Sequence, residues 1–184
     1  ILLNILTNII LNDNQIRCLD VGAGYGRFVP TFDNFSSEIV LLEASRNIHY
    51  KSQKIWKDNN KVQCTFSDFE SYEDNTKFNI IFSSGVLYLY DDDMVKHFLN
   101  KSRYLLQDNG MLIIRDFITQ SPREIKSNYI KGSFCHYRNS DYWNDMLDLT
   151  QFQLIEIRRS IPRLSILRNN NLLKLINNLG ISKL

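Results

Sequence analysis

An apolar run that ends in Asp20 is followed at once by three glycines at alternate positions, "CLDVGAGYGRF" over residues 18–28. A strand that feeds a helix through such a turn lets the backbone approach a ligand closely, with the amides of the helix start facing it. The spacing narrows the ligand. Gly22, Gly24 and Gly26 form G-x-G-x-G, whereas the dinucleotide fingerprint G-x-G-x-x-G needs its third glycine where Arg27 stands. The pattern argues against a pyrophosphate.

Acidic residues fall where an adenosine would need them. Glu43 closes the second apolar run, about twenty residues on, where a carboxylate can accept both ribose hydroxyls. Asp68, in "FSDFESY", follows the third run and can accept from an adenine amino group. Asp20 stands beside the ligand's other end. Three carboxylates around one pocket suit a cationic, phosphate-free adenosine ligand.

The rest of the chain alternates short β-branched runs with amphipathic stretches, the pattern of a parallel sheet covered on both faces. Strands are predicted at 16–21, 38–43, 61–66, 78–84, 110–117 and 152–160. Ser45 is a candidate cap for a helix whose Ile48, Ile55 and Trp56 form an inward stripe, and Asp91 to Asp93 open a second helix. Asn109-Gly110 is expected to end that helix and turn into the next strand, and Ser140 to cap the helix "SDYWNDMLDL". With 184 residues, the chain reads as a single domain over 1–184, with a long insertion at 118–143 and a basic strand and helix at 162–184.

In this order, the motifs resemble those of the class I S-adenosylmethionine-dependent methyltransferases. "LDVGAGYGRF" resembles the first motif, "LLEAS" the ribose-binding motif, "FSDFES" the adenine-binding motif and "FNIIFSSGVLYLYDD" the fourth-strand motif, while "LLQDNGMLIIRDF" is similar to the turn and fifth strand. The resemblance covers roughly residues 14–160. It implies an α/β, Rossmann-like, doubly wound and mostly parallel sheet of seven strands with helices on both faces. S-adenosyl-L-methionine, with S-adenosyl-L-homocysteine as its product, would lie across the carboxyl ends of the strands. Expected cofactor contacts are Asp20, Gly22, Ala23, Gly24, Gly26, Arg27, Glu43, Ala44, Asp68, Phe69 and Ser84.

The methyl acceptor is less legible. A hydroxyl acceptor benefits from a general base, and His136 is the histidine of the 118–143 insertion. A loop histidine that only makes a hydrogen bond is the structural alternative. Tyr88 and Asp116, at the exits of the fourth and fifth strands, are further catalytic candidates, and Tyr137, Arg138, Tyr142 and Trp143 are candidates for the substrate. Arg138 could clamp a carboxylate or phosphate, or hold the loop by an ion pair. Some segments are similar to the protein α-N-terminal methyltransferases, but Gly85 and Leu89 stand where that family presents a tryptophan and a histidine, and its acidic group has no counterpart near Lys131 and Gly132. The preferred acceptor is therefore a small molecule, such as a sugar or nucleotide-linked intermediate, methylated on O or N. A cofactor-binding scaffold subunit is the non-enzymatic alternative.

Bulk properties set the remaining bounds. A net charge of +2 is too small to argue for a nucleic-acid partner, which normally shows as a concentrated basic face, so none is expected. Cys18, Cys64 and Cys135 are widely spaced, which offers neither a disulfide framework nor metal-ligand spacing and fits the cytoplasm. No apolar run approaches the roughly twenty residues of a membrane span. "ILLNILTNIILN" lacks the basic leader of a signal peptide, and the absence of a starting Met suggests a trimmed chain. Leu172, Leu173, Leu175, Ile176 and Leu179 make an apolar helical face for the core, a membrane surface or a second copy in a homodimer.

Overall fold

The apolar runs are nearly continuous rather than alternating, as strands buried on both faces require. The computed structural model describes residues 15–127 and 133–155. Its strands β1 (Arg17–Val21), β2 (Glu38–Glu43), β3 (Val62–Phe66), β4 (Phe78–Ser84) and β5 (Leu106–Arg115) form one sheet in the order β3-β2-β1-β4-β5. Every pairing in it is parallel. The chain winds outward from β1 in both directions, so the order reverses between β1 and β4. This is a Rossmann-like, doubly wound sheet.

Successive residues of each strand serve opposite faces. Leu19, Val21, Val40, Leu42 and Ile81 pack beneath helix α3 (Asp92–Leu105), through Val95, Phe98 and Leu99, and beneath helix α4 (Ser140–Leu149), through Trp143. Cys18, Ile39, Leu41, Ile80 and Phe82 pack on the other face against Val29 and Phe32 of the four-residue helix α1 (Val29–Phe32). Trp56 of helix α2 (Arg46–Trp56) completes that layer. Phe32 and Phe82 stack edge to face at 5.5 Å and are essentially inaccessible, so truncating either to alanine should cost about 3–5 kcal/mol.

Away from the carboxyl edge, Arg17 holds the start of the sheet together. Its guanidinium donates to Glu38 at 2.6 and 3.1 Å, to Asp74 at 3.2 Å and to the Thr76 carbonyl at 2.7 Å, and it lies over the Phe78 ring. The hydrogen bond to Glu38, followed by the other contacts with the two carboxylates, raises the already high Arg17 pKa against the opposing effect of burial.

Several local expectations are corrected. Ile55 is 55% exposed, and the inward face of α2 is instead Ile48, Ser52 and Trp56, four residues apart. Ser45 makes no side-chain cap; Glu43 accepts from the Ser45 amide instead. At α4 the cap is Asn139, one residue before Ser140, accepting from the Tyr142 amide. Helix α3 ends at Leu105 and β5 starts at once, with a bulge between its pairings Phe78–Leu106 and Ile80–Met111 that absorbs Asn109-Gly110. The strand then ends at Arg115, two residues short of Phe117.

Within the insertion, β6 (Arg123–Lys126) and β7 (Phe134–Tyr137) pair as an antiparallel ribbon. The chain divides into a unit spanning Ile1–Gln153 and a second spanning Leu154–Leu184. Of the strand expected at 152–160, residues 152–155 have no regular structure. Its remainder and the 162–184 segment, with its edge strand and apolar helix, lie outside the described residues.

Candidate functional site

The exits of β1 and β4 flank the point where strand order reverses, the place where doubly wound sheets bind ligands. A cleft of about 250 Å³ opens there, lined by Asp20, Gly22, Ala23, Gly24, Tyr25, Arg27, Phe28 and Ser84. The glycines make this close approach possible. Gly22 and Gly26 have φ of +68° and +78°, and a Cβ would fall 2.4 Å from Val86 Cγ2 or from Trp56 Nε1, respectively. Trp56 Nε1 in turn donates to the Tyr25 carbonyl at 2.8 Å. The loop is therefore packed against its neighbours.

The amides of this loop face inward. Gly22 and Ala23 donate to the Leu42 carbonyl, Gly26 donates to Ala23, and Gly24 donates to Glu43 Oε2 at 2.9 Å. The turn feeds a helix as expected, and that helix, α1, is a single short turn. The loop shapes the cleft, and its polar floor comes from Asp20.

Asp20 is 1% exposed, and its Oδ2 has no hydrogen-bond partner among the described residues. Burial pushes its carboxyl up to about 8, with Arg27 opposing the shift and Glu43 adding to it. A buried acceptor without a donor is costly, and a ligand that brings a cation or donor would satisfy it. Glu43 accepts from Gly24 with one oxygen and from Ser45, at 2.7 Å, with the other. Each carboxylate oxygen still has a lone pair for a hydroxyl. Ala44, next to it, is exposed.

Other expected residues lie elsewhere around this edge. Asp68 is exposed and accepts from the Ser71 amide at 2.7 Å, a bond that holds its carboxyl below the usual range. Phe69 is buried against Phe98 and lines a second depression of about 260 Å³ with Tyr90, Met94 and His97. Ser84 in the cleft accepts from Arg115 Nη1 at 3.1 Å, a neighbour that the sequence did not single out.

The insertion residues divide into holders and presenters. Arg138 is 4% exposed and donates to Asp92, to the Leu87 carbonyl at 3.0 Å and to the Tyr90 carbonyl at 2.5 Å. Of its two candidate roles this geometry matches the loop-holding ion pair. Tyr142 packs under that guanidinium, and burial raises its phenol pKa, while Trp143 belongs to the core. Asp116 accepts from the Tyr88 amide and from its neighbour Phe117, both at 2.8 Å, and burial raises its carboxyl despite those bonds.

His136 Nδ1 lies 3.1 Å from Glu124 Oε2, its cross-strand partner, an arrangement that orients the ring. Glu124 escaped sequence reasoning because the ribbon register that pairs them has no turn signature. Tyr137 contacts Tyr88 and Phe117. Among the described residues no group of three or more His, Cys, Asp or Glu side chains is placed to hold a metal ion, and no helix is long and apolar enough to cross a membrane.

A doubly wound parallel sheet with a G-x-G-x-G cleft at its switch point defines the Rossmann-like class of nucleoside-cofactor enzymes. A family model described as a methyltransferase domain matches residues 2–157. The chain belongs to that family, the S-adenosylmethionine-dependent class I methyltransferases. No curated protein sequence matches it.

Solved structures share the fold at low identity. One is Burkholderia thailandensis 1,6-didemethyltoxoflavin-N1-methyltransferase, with 1,6-didemethyltoxoflavin and S-adenosylhomocysteine bound; it is 16% identical over 89% of this chain and 71% of that one, with a TM-score of 0.74. An S-adenosylmethionine-dependent methyltransferase from Mesorhizobium loti is 15% identical over 92% and 89%, with a TM-score of 0.68. The DhpI complex with S-adenosylhomocysteine is 14% identical over 79% and 72%, with a TM-score of 0.60.

Proposed function

We propose that this chain transfers a methyl group from S-adenosylmethionine to an oxygen or nitrogen of a small molecule. The reading rests on the buried Asp20 carboxyl beside the glycine cleft, whose Oδ2 lacks a partner among the described residues. A cofactor ammonium would supply the donor it lacks. Glu43 would accept from the ribose, and Asp68 is a candidate for the adenine amino group. The bound cofactor supplies an electrophilic methyl on a sulfonium. The protein's part is then to orient an acceptor atom in line with that methyl and to remove a proton where the acceptor is a hydroxyl.

His136, oriented by Glu124, is the candidate for the proton. Arg138 has its donors on Asp92 and two carbonyls, which weakens the case for an anionic, nucleotide-linked acceptor and leaves the small-molecule reading in place. The Burkholderia relative, whose bound partner is a small molecule, supports the same acceptor scale.

Transfer of labelled methyl from S-adenosylmethionine should be assayed against phenols, heteroaromatics, sugars, nucleotide sugars and peptides with free N-termini. Small-molecule products are expected. Labelling confined to peptide N-termini would replace this reading with the protein α-N-terminal one, and cofactor binding without any transfer would favour the scaffold. His136→Ala should lower turnover of a hydroxyl acceptor by about a hundredfold with S-adenosylhomocysteine affinity retained. An unchanged rate would remove His136 from the role.

A further inference from the structure

Three aromatic side chains from three different elements meet at the carboxyl edge of the sheet. Tyr88 comes from the short 3₁₀ turn Leu87–Leu89 after β4, Phe117 from the exit of β5, and Tyr137 from the end of β7. Tyr88 and Phe117 meet edge to face at 5.2 Å and 87°, and Tyr137 lies 6.3 and 5.9 Å from them. Phe117 is 56% exposed, an unusual state for a phenylalanine in direct contact with two other rings.

Two charged groups, the half-buried Asp116 and the buried Arg138, hold that cluster in place. The Asp116 carboxylate accepts from the amides of both Tyr88 and Phe117. Arg138, the residue after Tyr137, ties the ribbon to the Leu87 and Tyr90 carbonyls on either side of Tyr88. The Thr119 amide donates to the Arg138 carbonyl and closes the connection from β5. Backbones of all three aromatic residues are thus fixed by side chains that need not touch a substrate.

The cluster also adjoins the cofactor cleft along the chain. Ser84 lines the cleft, and Gly85 follows with φ of +69° and nothing within 4 Å of where a Cβ would stand. The position is open, and the chain passes from the cleft through it to the turn that carries Tyr88. Arg123 lies over the Tyr137 ring at 5.4 Å, so that ring already carries a cation and a positively charged acceptor would meet repulsion.

We propose that Tyr88, Phe117 and Tyr137 form the acceptor platform, and that the acceptor is an uncharged or anionic planar aromatic molecule methylated at a ring-bound hydroxyl or a ring nitrogen. This rests on the methyltransferase reading above. Rings at right angles offer one face for stacking and one edge for contact, and a flat aromatic ring can use both at once.

The test uses the full chain with S-adenosylmethionine and, as acceptors, catechol and 8-hydroxyquinoline against glucose and UDP-glucose. The aromatic acceptors are expected to be methylated, and Phe117→Ala to raise their KM tenfold or more while S-adenosylhomocysteine affinity stays within twofold of wild type. Phe117→Trp should restore the KM, which loss of folding could not explain. Methylation of the sugars with the aromatics inert, or a KM unmoved by Phe117→Ala, would overturn the proposal. A wild-type chain that fails to bind S-adenosylhomocysteine would instead overturn the reading beneath it, and with it this one.

Discussion

Asp20→Asn removes the buried carboxyl whose Oδ2 finds no hydrogen-bond partner among the described residues, and its effect on the ligand-free protein follows from linkage. The carboxyl sits at about 8 in the folded chain and near 3.8 when exposed, so the folded state binds the proton more tightly. For a group raised in this way, its contribution to stability is full below about pH 4 and is lost as pH rises toward 8. Each pH unit in that window costs about 1.4 kcal/mol, which by pH 7 reaches an upper limit of about 4 kcal/mol. Asparagine keeps the shape and carries no such cost. Urea unfolding of both proteins at pH 5, 6, 7 and 8, without ligand, should show wild-type stability falling relative to Asp20→Asn by 1 kcal/mol or more across the series. In return the variant should lose S-adenosylhomocysteine affinity. Parallel pH profiles with unchanged ligand affinity would refute the argument that this carboxyl is held strained for a ligand.

The opposite end of the sheet should respond to acid with the reverse sign. Asp74 is pushed up by burial, but hydrogen bonds from Thr76, Tyr72 and Arg17 prevail and hold it below the usual carboxylate range. Its stabilising contribution is therefore present above about pH 4 and is lost as pH falls through its folded pKa. Arg17→Met, which abandons Glu38 and Asp74 together, should cost about 2–3 kcal/mol in urea unfolding at pH 7 and flatten that acid dependence. A loss under 0.5 kcal/mol would show that the network is dispensable.

Strands were the most legible part of the fold, because the cores of the runs, 39–42 and 80–82, are apolar without interruption and too short for a buried helix. Gly22 and Glu43 were legible as a pair for a related reason: a turn needing positive φ and a carboxylate one strand away are both local sequence features. What escaped was set by contacts across the chain. Arg138 could be read as a clamp or a tie, and only the positions of the Leu87 and Tyr90 carbonyls distinguish the two. Both Asp116 oxygens hold backbone amides, contacts that no local pattern encodes. The bulge that absorbs Asn109-Gly110 depends on the Phe78 and Ile80 register, which no turn signal encodes. The ribbon that pairs His136 with Glu124 is of the same kind.

The G-x-G-x-G cleft at the β1–β4 switch point is predicted to take an adenosine ligand with a cationic amino-acid tail and no pyrophosphate. Isothermal titration of the wild-type chain with S-adenosylhomocysteine, repeated in the presence of excess NAD, measures this directly. The prediction is saturable one-to-one binding that NAD does not displace. No heat with S-adenosylhomocysteine, or its displacement by NAD, would contradict it.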